Sequence, residues 1–310
     1  MRVLVTGGAG FIGSQIADAY VEAGHHVEII DNLVTGREQN LNPKAVFHRA
    51  DIRDAEAVAK IFAATKFDVV NHHAAQMDVR RSVADPVYDA SVNVLGVLTL
   101  LEAATKNGVR RFIFASSGGA IYGEQDYFPA DEKHPTRPIS PYGVAKLTTE
   151  QYLFYYYAVY GIESVCLRYA NVYGPRQNPE GEAGVVAIFT TKMLNGEQAV
   201  VNGDGKQTRD YVFVGDVVRA NVLALGLNGF RILNIGTGVE SDVNMLFREI
   251  RRLTGSSCDE KHGEAKKGEQ LRSVLSAGAI QALAGWKPSV ALSEGLERTV
   301  SYFKERRGRK

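Results

Sequence analysis

Residues 3–13 read Val3-Leu4-Val5-Thr6-Gly7-Gly8-Ala9-Gly10-Phe11-Ile12-Gly13. A short apolar run ends in a glycine-rich turn, and the turn leads straight into the helical stretch Phe11 to Ala23, with a second apolar run at Val27 to Ile30. The pattern predicts strand, turn, helix and strand, a βαβ unit. Each glycine has its own reason to be there: Gly7 permits the tight turn, Gly10 lets a pyrophosphate approach the backbone, and Gly13 lets helix pack closely on strand. The helix start, with Phe11 and Ile12 in its first turn, presents free N–H groups and the positive end of its dipole to the same point. A glycine-rich turn with no ligand would show the same spacing. What favours a dinucleotide is that strand, loop and helix all fall where one needs them.

Working outward, the rhythm continues. Strands are predicted at Val46 to His48, Val69 to Asn71, Phe112 to Ala115 and Ser164 to Arg168, with helices at Ala55 to Ala64, Val92 to Lys106 and Tyr142 to Tyr160. Such alternation implies an α/β fold, a doubly wound parallel sheet of the Rossmann type with helices on both faces. After Arg168 the pattern loosens into a Gly, Pro and Asn cluster between Asn171 and Gly184. A break there predicts a dinucleotide-binding domain over 1–168 and a smaller C-terminal α/β lobe over 169–310, with helices at Val185 to Leu194, Asp216 to Leu225, Asp242 to Leu253 and Leu292 to Phe303. A strand near 231–236 is expected to return to the main sheet.

The composition fits an ordinary globular enzyme. The 310 residues are 45% hydrophobic and carry 36 basic against 35 acidic side chains, which leaves no broad basic footprint for nucleic acid. Two cysteines, Cys166 and Cys258, are too few for a disulfide framework, which points to a reducing, cytoplasmic setting. No apolar stretch of membrane-spanning length is expected, so neither a membrane nor a nucleic acid is a predicted partner.

At the end of the second predicted strand stands Asp31. A carboxylate there accepts hydrogen bonds from the adenosine ribose and repels a ribose phosphate, so the expected cofactor is NAD; the lesser alternative is that Asp31 only caps a turn. Asp51-Ile52, after the third strand, are placed to meet the adenine ring. His73-Ala74-Ala75-Gln76, after the fourth, are placed along the cofactor's centre. His72-His73 lack the carboxylate or cysteine partners of a metal site, and no metal is expected.

In Ser140-Pro141-Tyr142-Gly143-Val144-Ala145-Lys146, Tyr142 and Lys146 lie one helical turn apart and project from one face. A lysine ammonium and a nicotinamide cation would both favour the phenolate, making a tyrosine usable as a base near neutral pH. Ser116-Ser117 follow the Phe112 to Ala115 strand at its C-terminal end, where sites in such sheets assemble, and offer a hydroxyl to complete a proton path.

Together the glycine turn, Asp31-Asn32, HAAQ, SSGGAIYG, SPYGVAK and RYANVYGPRQ resemble the extended short-chain dehydrogenase/reductase family, above all its UDP-glucose 4-epimerases and related nucleotide-sugar epimerases, over essentially the whole chain. The resemblance implies NAD-dependent 4-epimerisation of a nucleotide sugar, foremost UDP-glucose and UDP-galactose. It also admits UDP-N-acetylhexosamines or UDP-uronates, a reductase that releases its cofactor, or a non-catalytic NAD-binding regulator. It implies Tyr142 as acid/base, Lys146 as its electrostatic partner and ribose anchor, and Ser117 as hydroxyl relay. The run from strand to Tyr122 is one residue longer than is common in relatives, so Ser116 stands as the alternative. Related dehydratases carry an Asp-Glu pair where this chain has Gly118-Gly119.

By the same resemblance Asn32, Asn93, Tyr169 and Val172 join the cofactor contacts, and Val79, Ser116, Asn171, Val185 and Val186 the substrate contacts. Arg209, in Thr208-Arg209-Asp210-Tyr211, and Lys266 would meet phosphate, Glu269 a nucleotide ribose, and Ser273 would leave room for an N-acetyl group. A homodimer through a bundle built from the Val92 to Lys106 and Tyr142 to Tyr160 helices is the family's pattern.

Overall fold

The computed structural model describes residues 1–179, 184–265 and 270–307. In chain order the first elements are β1 (Arg2–Thr6), α1 (Phe11–Glu22), β2 (His26–Asp31), β3 (Val46–Arg49), α2 (Ala55–Ala64), β4 (Val69–His72), α3 (Val79–Ala84), α4 (Pro86–Ala90), a π-helical segment Ser91–Leu95, α5 (Gly96–Lys106), β5 (Arg111–Ser117), α6 (Gly118–Tyr122), α7 (Pro141–Tyr160) and β6 (Glu163–Tyr169). There follow β7 (Asn171–Tyr173), α8 (Val185–Leu194), β8 (Val200–Asn202), β9 (Thr208–Phe213), α9 (Val214–Ala224), β10 (Phe230–Ile235), β11 (Glu240–Asp242), α10 (Val243–Thr254), β12 (Lys261–Gly263), β13 (Arg272–Ser273), α11 (Gly278–Ala284) and α12 (Leu292–Arg307).

Two compact units result: Met1–Ile121 with Thr136–Arg168 and Val218–Leu233, and Tyr122–Pro135 with Tyr169–Val217 and Asn234–Lys310. The chain thus crosses between units more often than a single break after Arg168 provides for.

The first unit is built on a seven-stranded sheet in the order β10-β6-β5-β4-β1-β2-β3. The pairs β3-β2, β2-β1, β1-β4 and β4-β5 are all parallel. The strand order reverses across β1, the switch point at which such sheets bind ligands at their C-terminal edge. The returning strand is β10, beside β6 at the sheet's edge.

Strand alternation divides the core. Leu4, Ile30, Val70, Phe112 and Phe114 form one cluster with Val58, Phe62, Leu100, Leu101 and Leu153 from α2, α5 and α7. Val3, Val5 and Ile29 are equally buried but face the other way, on the side of α1. Each such side chain contributes about 1.5–3 kcal/mol by leaving water. The helical stretch Pro86–Lys106 has, contrary to the sequence expectation, the length and composition of a membrane span, with a mean hydropathy of 1.3. Leu100, Leu101 and Ala104 on it are 0% exposed within this core, so its apolarity serves packing.

In the second unit β9 is the central strand, paired with β7, β11 and β13. Trp286, 1% exposed, donates its indole N–H to the Asp216 carbonyl at 3.0 Å. Cys166 and Cys258 are free thiols.

Candidate active site

Gly7 has φ +70°, and a Cβ on it would meet Ala74 N at 2.6 Å, so only glycine fits where the first turn abuts the segment after β4. Gly13 is equally constrained, because its Cβ would lie 2.4 Å from the Gly7 carbonyl oxygen. Gly10 differs. It is the N-cap of α1, in extended backbone with no side-chain cap, and a Cβ there would touch only Gly7 O, at 3.1 Å. Packing explains Gly7 and Gly13. At Gly10 the missing side chain instead leaves space before the first-turn N–H groups of Phe11, Ile12 and Gly13, donors that could hold a pyrophosphate.

Asp31 ends β2 and is 8% exposed. Its carboxylate accepts from Ala9 N (3.0 Å) and Leu33 N (2.8 Å), so it braces the glycine turn. Burial raises its pKa against those two hydrogen bonds. Each oxygen retains acceptor capacity for a ribose hydroxyl. The residues present therefore fit NAD.

Asn32 donates to Asp51 Oδ2 (3.1 Å), and Arg53 grips both Asp51 oxygens (2.9 and 2.7 Å), which holds this carboxyl well below the usual range. Ile52 is 4% exposed and its side chain belongs to the core, leaving its backbone for any ring contact. His73 and Ala74 are tied to β1 through Thr6 O (3.0 Å) and Thr6 Oγ1 (3.2 Å). Ala75 is half-buried beside them. Gln76 N donates to Asn93 Oδ1 (3.0 Å) and Asn93 Nδ2 donates back to Gln76 O (2.8 Å), so Asn93, 3% exposed, shapes the segment after β4. Burial and the charge of Lys146 push His73 down to about 3, so it is neutral. No group of metal-ligating side chains occurs among the described residues.

Ser140 caps α7 by accepting from Gly143 N (3.1 Å), with Pro141 at the first helical position. Ser82 fixes the same turn from α3: its hydroxyl accepts from Tyr142 N (3.2 Å) and donates to Val79 O (2.6 Å). One turn further, Lys146 is 4% exposed. Its ammonium donates to Ala115 O (2.8 Å) on β5 and lies 4.7 Å above the Phe114 ring and 5.6 Å from the Tyr142 ring centre. Burial lowers Lys146 to about 8, against the raising fields of Asp89 and Glu150. It thus remains largely an ammonium at neutral pH.

The two serines part company. Ser116, expected among the substrate contacts, is 3% exposed and donates to Glu150 Oε1 (2.6 Å), so it is committed to the interior. Strand alternation turns Ser117 the other way, half-buried, with its hydroxyl accepting from Ala120 N at 3.4 Å. Glu150 also accepts from Arg168 Nε (2.9 Å) and Nη2 (2.6 Å). Tyr142, Lys146 and Glu150 share one face of α7, a stripe the sequence reading followed only as far as Lys146.

In the second unit, Asn171 is exposed at the start of β7, Val172 is half-buried beside it and Tyr169 is 6% exposed. Asn171 pairs with Tyr211 of β9, whose Arg209 donates to the Thr208 carbonyl (2.8 Å). Ser273, 4% exposed, pairs with Arg209 across β13 and β9. Val185 and Val186 open α8, with Val186 turned into the core. Lys266 and Glu269 lie outside the described residues.

Residues 3–236 match the model of the NAD dependent epimerase/dehydratase family. The chain belongs to this family. A relative from Mycolicibacterium smegmatis, named UDP-glucose 4-epimerase, is 44% identical over 312 residues, covering 99% of each chain. The solved UDP-glucose 4-epimerase of Thermotoga maritima, with UDP-glucose, superposes with a TM-score of 0.97 at 48% identity, over 99% of both chains. That of Thermus thermophilus, in complex with NAD, gives 0.94 at 44% identity, over 98% of this chain and 99% of that one. As a member of the NAD-dependent family, the chain takes NAD as its cofactor.

Proposed function

We propose that this chain is a UDP-glucose 4-epimerase, interconverting UDP-glucose and UDP-galactose through a 4-keto sugar. The observation that carries the reading is the joint of α7 and β5: Lys146, one turn after Tyr142, bonds the carbonyl of Ala115, two residues before Ser117. This ties acid/base, cation and hydroxyl to a single piece of scaffold.

NAD, when bound, accepts and returns the hydride at sugar carbon four. Tyr142 takes the proton of the 4-hydroxyl as hydride departs and gives it back as hydride returns to the other face. The Lys146 ammonium lowers the cost of the phenolate, and Ser117 passes the proton between sugar and tyrosine. Asp31 would hold the adenosine ribose, and Gly10 with the first turn of α1 the pyrophosphate. Asn32, Asp51, the Ile52 backbone, the 73–76 segment, Asn93, Tyr169 and Val172 would line the rest. Val79, Asn171, Val185, Val186, Arg209 and Ser273 would bind the nucleotide sugar. Gly118 and Gly119 begin α6 without a carboxylate, so the group a dehydratase needs to eliminate water is missing from that position.

A second copy of the chain fits the apolar side chains exposed on and before α7. Val144, Phe154, Tyr155 and Val159 are 45–59% exposed, with Val87 and Leu95 beyond them. Of the three consecutive tyrosines only Tyr155 is exposed; Tyr156 is 4% exposed and donates to Glu102 at 2.6 Å.

Incubating the purified protein with UDP-galactose, without added NAD, tests the reading. UDP-glucose as product supports it, and no product even with NAD supplied refutes it. A parallel incubation with UDP-N-acetylgalactosamine reads whether the small Ser273 admits an N-acetyl group.

A further inference from the structure

The first unit buries four charges around the first half of α7: Lys146, Glu150, Arg168 and Asp89, the last only 1% exposed on α4. An isolated buried charge is costly, so each needs a partner. Glu150 is matched by the two-pronged Arg168. That leaves Lys146 and Asp89.

Asp89 has an unusual set of neighbours. Its Oδ1 accepts from two neutral amides, Gln76 Nε2 and Asn93 Nδ2, both at 2.9 Å. Its Oδ2 is buried and makes no hydrogen bond. Burial raises the pKa of this carboxyl, and the two amide hydrogen bonds and the field of Lys146 act against that shift. Its element α4 packs directly on α7. At the same level Thr149 Oγ1, one turn beyond Lys146, donates to Asn93 O (3.0 Å), which locks the Asp89 network to the lysine's helix.

Resting on the epimerase reading, we infer that Asp89 is a positioning residue: its carboxylate is the counter-charge that keeps Lys146 an ammonium beside Tyr142, without itself touching substrate or cofactor. The other groups around Lys146 do not fill this role. His72 and His73 are held neutral by burial and by the lysine itself, Phe114 offers only its ring face, and Glu150, the second carboxylate that raises the lysine, shares its charge with Arg168, which leaves Asp89 as the carboxylate with no other cation among the described residues. Lys146 is in turn the cation whose field acts on Asp89.

The direction follows. Lys146 titrates near 8, and Asp89 is one of two carboxylates holding it that high. Removing the negative charge lowers the lysine further, so the ammonium is lost at lower pH. Asp89→Asn keeps the shape and the Oδ1 acceptor for Gln76 and Asn93, deletes the charge, and places an amide NH2 at the buried, unpartnered Oδ2 position, so its stability is measured alongside. The expected result is unchanged NAD content and KM, with the alkaline limb of the kcat profile for UDP-galactose moved about one pH unit lower. The 13Cε resonance of Lys146, assigned by its loss in Lys146→Arg, shows the same downward move in midpoint. Superimposable profiles and an unmoved resonance overturn the inference. If the wild type turns over no nucleotide sugar, the proposed function fails, and the resonance still decides the role of Asp89. Should Asp89→Asn prove unstable, its cost is measured again in a Lys146→Met background. A smaller cost there supports the pairing, and an equal cost overturns it.

Discussion

Gly10 and Gly13 sit three residues apart, the first capping α1 and the second in its first turn, yet adding a single methyl to each predicts opposite outcomes. At Gly13 the new carbon would lie 2.4 Å from Gly7 O and 2.9 Å from Gly7 C, both backbone atoms of the turn itself. The turn must open, an overpacking cost of about 1–3 kcal/mol, and the cofactor cradle opens with it. At Gly10, φ −81° and ψ −177° suit alanine, and the one close contact is 3.1 Å. The fold then loses only the slight advantage of glycine as an N-cap, about 1 kcal/mol or less. The methyl instead occupies the place a pyrophosphate needs, and NAD retention should fall about tenfold or more. The assay is urea unfolding of nucleotide-stripped protein, alongside NAD content after purification and its rate of release. Gly13→Ala is expected to lose both stability and NAD, and Gly10→Ala only NAD. Wild-type NAD retention in Gly10→Ala would refute the assignment of the cradle.

Other consequences are as specific. Tyr142→Phe should keep its NAD while kcat falls by about 10²–10⁴, and near-normal turnover would remove Tyr142 as the acid/base. Ser117→Ala should lower kcat at least about tenfold, whereas Ser116→Ala should leave kcat near normal and cost about 1–3 kcal/mol in unfolding, because buried Glu150 loses a donor; the reverse pattern would make Ser116 the relay. Arg168→Met leaves Glu150, 0% exposed, without its cation and should cost about 3–5 kcal/mol. Adding Glu150→Gln should recover part of that loss, and strictly additive costs would mean that the pair is not coupled.

The nucleotide-binding half was legible because its signals are local. Gly7, Gly10 and Gly13 announce strand, turn and helix within a dozen residues, and the Tyr142-Lys146 spacing is the helix repeat itself. The same locality explains what escaped. In a parallel sheet both faces of a strand are buried, so Phe112 to Phe114 show no alternation from which to read that Ser116 turns inward and Ser117 outward. The helix expected to begin at Val92 begins with a π-helical segment, preceded by α3 and α4, each too short for periodicity to register. Their caps were visible, however: Asp78 accepts from Arg80 N and Arg81 N, and Asp85, followed by Pro86, from Tyr88 N. Strands of two or three residues, such as β7, β11 and β13, carry too few side chains to form a pattern. Asp89, Ser82 and Arg168 gain their meaning only from partners distant in sequence. Asp31, read as a ribose ligand, also braces Ala9, a bond that nothing in the local sequence signals.

The most direct test of the account follows a deuterium placed on carbon four of UDP-galactose through turnover by the purified protein, with no NAD added. Hydride removed and returned within one closed site predicts UDP-glucose with the label still on carbon four, and no label in unlabelled substrate present in the same reaction. Label lost to water, or appearing in externally supplied NADH, would contradict it.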